Sequence, residues 1–326
     1  MKVLVSGAGG FLGQSVVNSL VERGHQVRAM VRPAARAPDW PEQVEVFRAD
    51  LRVHKDLAPA FDGVDAVIHL AAAVTGNEDA QFASTVVATE RFLEAMAKST
   101  VKRLVHVSSL VVYDWSRAKS CMDEETPVEC APYTMGGYTI AKIWQERIVE
   151  RFAKTNSWDV TIARPGFIWG DGHEEIAAMG RKFGRLYLMF GPFTRLPLSH
   201  VTNCADCLVT ALESPTASGQ TFNIVDSDDV RVWQYVREYA RRTRQPGLLV
   251  PLPYHVGLGL AQLAAFTSRK LFGEKGKLPS LLTPRRFESQ FKPLRFSNSK
   301  IRTKLGWRPR FSFDECLAAS YKHQVT

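Results

Sequence analysis

Short apolar runs alternate with helix-spaced apolar positions along the first half of the chain. "KVLVS", residues 2–6, reads as a buried strand. From Phe11 to Arg23 apolar side chains recur at helical spacing, and Gly24 supplies the expected left-handed stop. "QVRAMV", "VEVFRA" and "DAVIHLA" follow as strands two to four. A helix over Ala83–Lys98 leads to "RLVHVSS", strand five; another helix begins near Tyr138, and "DVTIARP" is strand six. This alternation predicts an α/β fold, a doubly wound parallel sheet covered by helices on both faces. Past Trp169 proline and glycine become frequent and strands are expected to be rare, although "QTFNIVD" reads as a late strand rejoining the sheet. The expected organisation is one unit over residues 1–168, to which 199–226 return, and a smaller interleaved unit from 169–198 and 227–326.

Composition narrows the classes. At 326 residues, 45% hydrophobic and 23% charged, the chain describes an ordinary globular protein with a sizeable core. The N-terminus lacks the apolar stretch of a signal peptide, and no segment has the ~18 apolar residues of a membrane span. Five scattered cysteines do not form a disulfide framework, so a reducing cytoplasm is the expected location. Cys204 and Cys207 make a lone CxxC, read as small apolar positions of the helix "CADCLVTAL"; no metal site is expected. The net charge of +9 is concentrated: residues 269–310 hold thirteen Lys/Arg against two acids, a local +11 that leaves the remainder near −2. Such a stretch suits a solvated face, an anionic substrate, an acidic partner or a membrane surface. No motif that reads nucleic acid accompanies it. The segment "LPYHVGLGLAQLAAFTSRKLFG" before it is read as a buried helix, a pocket wall or a membrane contact, in that order.

Between the first strand and first helix lies "SGAGGFLG", with Gly7, Gly10 and Gly13 in GxxGxxG spacing and Phe11 and Leu12 opening the helix. Glycines there permit a tight turn, close approach of a pyrophosphate and close helix–sheet packing, while the helix N-terminus favours an anion. This makes the first unit a Rossmann-type dinucleotide site and the second a substrate unit. No Asp or Glu stands at the end of strand two, where NAD enzymes hold the ribose; "VRAMVRPAAR" supplies Arg28, Arg32 and Arg36 instead. Arg32, at the strand end, suits a 2′-phosphate, so NADP is expected over NAD. Asp50 and Leu51, just beyond strand three, offer an adenine a carboxylate and an apolar wall.

The stretch "YTMGGYTIAK" holds two tyrosines and one lysine. Tyr138 and Lys142 are four apart at a helix start and share a face. A phenol with pKa about 10 needs a cation beside it to exchange protons near neutrality. Tyr133, separated from Lys142 by Gly136-Gly137, cannot share that geometry. With "ADL", "VIHLAA", "VHVSSLVVYD", "YTIAK", "ARPGFIWG", "HVTNCADCLVTAL", "TFNIVD" and "KLGWRP" in order along nearly the whole chain, the sequence resembles the extended short-chain dehydrogenase/reductases. The resemblance implies Ser109 as the hydroxyl that bonds the substrate oxygen, Tyr138 as acid/base and Lys142 as the cation that lowers its pKa and holds the nicotinamide ribose. It further implies Ala71 and Ala72 lining the cofactor, Pro165 and Gly166 near the carboxamide, and a homodimer. One departure stands out: Thr85 occupies a position where the family often has asparagine, and Ala88 one where glycine is usual.

The resemblance leaves the reaction open. Dehydratases usually carry an Asp-Glu pair after the active Ser or Thr, whereas Leu110 and Val111 follow Ser109. Sugar-nucleotide epimerases, with tightly held NAD, often have asparagine where "RPGF" has Phe167, yet arginines in the basic stretch could grip a diphosphate. A third class, dinucleotide sensors without catalysis, typically loses the Tyr or Lys present here. The sequence is expected to encode an NAD(P)-dependent oxidoreductase of dihydroflavonol-reductase-like or 3β-hydroxysteroid-dehydrogenase-like type. Its expected substrate is a ketone or secondary alcohol, with the epimerase as alternative.

Overall fold

The runs "VLVS", "VRAMV", "AVIH" and "LVHV" are buried end to end, as strands covered on both faces must be, whereas "VEVFR" leaves Glu45, Val46 and Arg48 exposed. The computed structural model describes residues 1–243, 248–272 and 278–321. In chain order its first elements are β1 (Lys2–Ser6), α1 (Phe11–Glu22), β2 (Gln26–Val31), β3 (Val44–Arg48) and β4 (Ala66–His69). Next come α2 (Glu78–Phe82), α3 (Ala88–Ala97), β5 (Arg103–Val107), β6 (Cys121–Met122), α4 (Gly137–Asn156), β7 (Asp159–Pro165) and β8 (Phe167–Trp169). The chain continues through β9 (Arg181–Phe183), β10 (Leu186–Phe190), β11 (Leu198–His200), α5 (Val201–Glu213), β12 (Thr221–Ile224) and α6 (Val232–Thr243). The last elements are β13 (Leu248–Leu252), α7 (Tyr254–Phe272), α8 (Pro284–Phe291), β14 (Arg295–Phe296), α9 (Ser299–Leu305) and α10 (Phe313–Ser320).

Seven strands form one parallel sheet in the order β12-β7-β5-β4-β1-β2-β3. The direction of winding reverses between β1 and β4, so a crevice opens at their carboxyl ends, where such sheets take ligands. One face packs α1 and α5 through Val16, Leu20, Cys204, Cys207 and Leu208. The other packs α3 and α4 through Phe92, Leu93, Met96 and Val149. Burial pushes the Cys204 thiol up to about 12 and raises Cys207 as well. Both behave as the small apolar core positions expected of them.

Two expectations need correction. The helix expected over 83–98 starts at Glu78, where the Asn77 carboxamide accepts from the Ala80 amide at 2.8 Å, and it carries a π turn over Ala83–Val87. Strands are also not rare beyond Trp169: β9, β10 and β13 make a second sheet, with β10 antiparallel to β9 and parallel to β13. These runs are short and set off by turns at Gly180, Gly184 and Gly191, all with positive φ, so no period builds up along the sequence. Trp169, Tyr187, Met189, Tyr235 and Leu317 form a core beneath this sheet, separate from the large one.

The basic stretch divides by role. Arg285 faces Asp114 and Glu129 at 3.7 and 3.3 Å, and Arg286 donates to the Met135 carbonyl at 2.8 Å. Lys292 Nζ donates to the carbonyls of Trp115 and Ala118 at 2.6 and 2.8 Å. These three cations clamp the loop that enters α4. Lys275 and Lys277, also counted in the basic stretch, lie outside the described residues, as does Gly273 at the end of the apolar segment.

Candidate active site

The crevice is floored by the β1–α1 turn. Gly7 has φ +73°, and a Cβ there would stand 3.0 Å from the Ala71 amide beyond β4. A Cβ on Gly13 would lie 2.2 Å from the Gly7 carbonyl oxygen, so only glycine lets the helix close on the turn. Gly10 caps α1 without a side-chain hydrogen bond, and no acid stands in the first turn. The first-turn amides of such a helix have no intrahelical acceptors and present an uncompensated positive end. Phe11 stacks on His173 at 3.9 Å between ring centres, and Leu12 packs against the α1–α5 core. An uncapped helix end over a turn that tolerates no side chain fits a dinucleotide pyrophosphate.

Along and beyond β2, the three arginines separate. Arg28 is buried and donates to the carbonyls of Pro59, Ala60 and Asp62 at 3.0, 2.9 and 3.0 Å while pairing with Glu45; it is part of the scaffold. Arg32 and Arg36 are exposed beyond β2. Asp50 is held by Arg52, whose Nη2 reaches Oδ2 at 2.7 Å; this pairing, with a smaller effect of Arg32, lowers the carboxyl to about 2. Leu51 beside it is buried.

Ser109 and Tyr138 come together where β5 ends and α4 begins, with Lys142 one turn further along α4. Ser109 caps a short 3₁₀ turn over Leu110–Val112, its hydroxyl accepting from the Val111 amide at 3.3 Å. Tyr138 is the second residue of α4 and is half-buried; burial raises its phenol to about 12, with the Ser109 hydroxyl acting in the opposite sense. Tyr133 lies outside α4 in a 3₁₀ turn and is 79% exposed. Pro165 closes β7, and Gly166 is fixed because a Cβ there would stand 2.0 Å from the Pro197 carbonyl oxygen.

Lys142 is buried and donates to the Val107 carbonyl at 2.7 Å and to the Gln145 side-chain oxygen. Burial lowers its pKa to about 7, the Glu146 carboxylate pulling the other way. Gln145 was not among the sequence candidates. Its amide donates to Thr89 Oγ1 at 2.7 Å and to the Ala71 carbonyl at 2.9 Å. Thr89 Oγ1 lies 2.8 Å from His69 Nε2, and His69 Nδ1 lies 2.7 Å from Ser6 Oγ at the end of β1. A buried polar chain therefore runs from the candidate lysine to the glycine turn. Burial, then Lys142, lowers His69 to about 3, so the imidazole is neutral. Thr85, in the π turn, accepts from the Ala73 amide at 3.0 Å and holds the loop after β4, not Lys142. Beneath the site Glu146 pairs with Arg164, whose guanidinium lies 4.6 Å from the Tyr113 ring centre, and accepts from Ser108 at 2.5 Å.

Glycine turn, open crevice and a Ser–Tyr–Lys set beside it define an NAD(P)-dependent enzyme of the extended short-chain dehydrogenase/reductase class. The chain belongs to the NAD dependent epimerase/dehydratase family, whose model matches residues 3–225. It is 28% identical over 347 aligned positions to a 3 beta-hydroxysteroid dehydrogenase/Delta 5-->4-isomerase of Mycobacterium tuberculosis, covering all of this chain and 90% of that protein. It is 27% identical to a 2-alkyl-3-oxoalkanoate reductase of Stenotrophomonas maltophilia, over 97% of each. Its fold is shared with the UDP-glucuronic acid 4-epimerase of Bacillus cereus solved with UDP-glucuronic acid and NAD: TM-score 0.71, 18% identity, 98% of each chain covered.

Proposed function

We propose that the protein is an NADP-preferring oxidoreductase that interconverts a ketone and a secondary alcohol on a largely apolar body, with Tyr138 as acid/base. The observation that carries this reading is the half-buried Tyr138 phenol against the Ser109 hydroxyl, with Lys142 one turn along the same helix. A hydroxysteroid and an alkyl-oxoalkanoate, named for two full-length relatives, are both apolar skeletons bearing such a group. Arg32, exposed beyond a strand end that lacks a carboxylate, supports the 2′-phosphate preference.

Gly10, Phe11, Leu12 and Gly13 would hold a dinucleotide pyrophosphate at the α1 end, with Gly7, Ala71 and Ala72 beneath it. Leu51 and Asp50 would border the adenine, and Pro165 and Gly166 the carboxamide. Bound nicotinamide supplies or accepts the hydride. Ser109 Oγ donates a hydrogen bond to the substrate oxygen. Tyr138 Oη gives that oxygen its proton in reduction and takes it back in oxidation. Lys142, turning from Val107 towards the ribose, favours the phenolate that oxidation requires.

The test follows nicotinamide absorbance with ketone, sterol and sugar-nucleotide panels, for the wild type and Tyr138→Phe. NADPH consumption with an apolar ketone is expected, and the variant should lose about 10²- to 10⁴-fold in kcat with cofactor binding retained. Unchanged turnover in Tyr138→Phe would remove its acid/base role. Epimerised sugar nucleotide without net absorbance change would replace this reading by the NAD-holding epimerase.

A further inference from the structure

Helix α7 is apolar on two faces, and the fold uses only one. Tyr254, Gly257 and Ala261 face inward, where Gly257 comes so close to Phe287 that a Cβ would stand 2.5 Å from its ring. On the other side Val256, Leu260, Leu263, Phe266 and Leu271 are each between 48% and 75% exposed. At helical spacing these five fall within an arc of about 140°. A stripe of this kind on a protein surface calls for a partner.

Charge limits what that partner is. Residues 248–272 contain no Asp or Glu, and the stripe ends in Arg269 and Lys270. Lys270 reaches back over the Phe266 ring, 4.9 Å from its centre, with its stem along the apolar face and its ammonium at the edge. Arg285, Arg286 and Lys292 are committed to carbonyls and carboxylates inside the protein, whereas Arg269 and Lys270 carry no ion pair among the described residues. A second copy docked stripe to stripe would offer these cations no carboxylate from its own α7 or β13. No helix among the described residues is long and apolar enough to cross a membrane. Apolar side chains in a row, basic residues at one end and no acid are what a helix lying in an anionic lipid interface needs.

We propose that α7 docks the protein onto an anionic membrane surface, with Leu263 at the centre of the inserted face, Phe266 along its edge and Arg269 and Lys270 on the lipid phosphates. This surface is independent of the reading given to the active site. It is tested by flotation of the full-length chain with phosphatidylcholine vesicles, with and without phosphatidylglycerol, and by light scattering without lipid. The wild type should float with the phosphatidylglycerol vesicles and detach as salt rises. Leu263→Glu/Phe266→Glu should lose at least about tenfold in partitioning. Arg269→Ala/Lys270→Ala should lose roughly 30-fold on phosphatidylglycerol vesicles while matching the wild type on pure phosphatidylcholine. Both variants should keep the wild-type circular dichroism and cofactor affinity. Failure of the wild type to float with either vesicle overturns the proposal, as does unimpaired flotation of the glutamate variant. A wild-type dimer that becomes monomeric in the glutamate variant would assign the stripe to a second copy instead.

Discussion

Tyr133 and Tyr138 lie in one ten-residue stretch, yet the first is open to solvent in a 3₁₀ turn, while the second is half-buried on α4 beside Ser109. Sequence spacing already favoured Tyr138, because only a helical i, i+4 pair can present tyrosine and lysine together. The arginines of "VRAMVRPAAR" were less legible. Position singled out Arg32 at the strand end but not the role of Arg28, which alternates into the sheet and ties down the 3₁₀ turn over Ala58–Phe61, leaving Arg32 and Arg36 outside. Arg32→Ala should lower NADPH affinity by about 10- to 100-fold, the worth of hydrogen bonds to a charged group, while NADH affinity hardly changes. Fluorescence titration with both nucleotides reads the difference, and an unaltered preference would disprove the assignment.

Among elements, the unexpected feature is the polar chain that stitches α4, α3, β4 and β1 together through Lys142, Gln145, Thr89, His69 and Ser6. Gln145 lies three residues after Lys142, so its place on the same helical face could be read from sequence. Its partners could not, because Thr89 and His69 reach it only once three elements have packed. Gln145→Leu removes an acceptor from a buried ammonium and a donor from Thr89, which should cost about 1–3 kcal/mol of stability in urea titration. As a positioning residue it should also shift the pH profile of turnover, a change that a purely structural loss would not produce. The second sheet was illegible for a related reason: "RKF", "LYLMF" and "LLVPL" become strands only when β10 pairs with partners on both sides.

At the scale of the whole molecule, the buried Lys142 makes stability depend on pH in a definite direction. Its folded pKa, about 7, lies below the ordinary 10.5, so folding forces the loss of a proton between these values. Its cost is full below pH 7 and is relieved as pH rises towards 10.5, by at most about 1.4 kcal/mol per pH unit. Asp226, raised by burial to about 6, has finished titrating below this window, and the buried thiols act only above pH 9. Urea midpoints at pH 7 and 9 should therefore rise more for the wild type than for Lys142→Met; parallel midpoints would refute the shift. Local periodicity and residues a few positions apart were enough for the parallel sheet, the glycine turn and the family. Tertiary structure alone decided which arginine is scaffold, what holds Lys142, which cations clamp the α4 loop and which face of α7 stays bare. Those outcomes depend on burial and on partners tens to more than a hundred residues away, and neither is a property of any short stretch of chain.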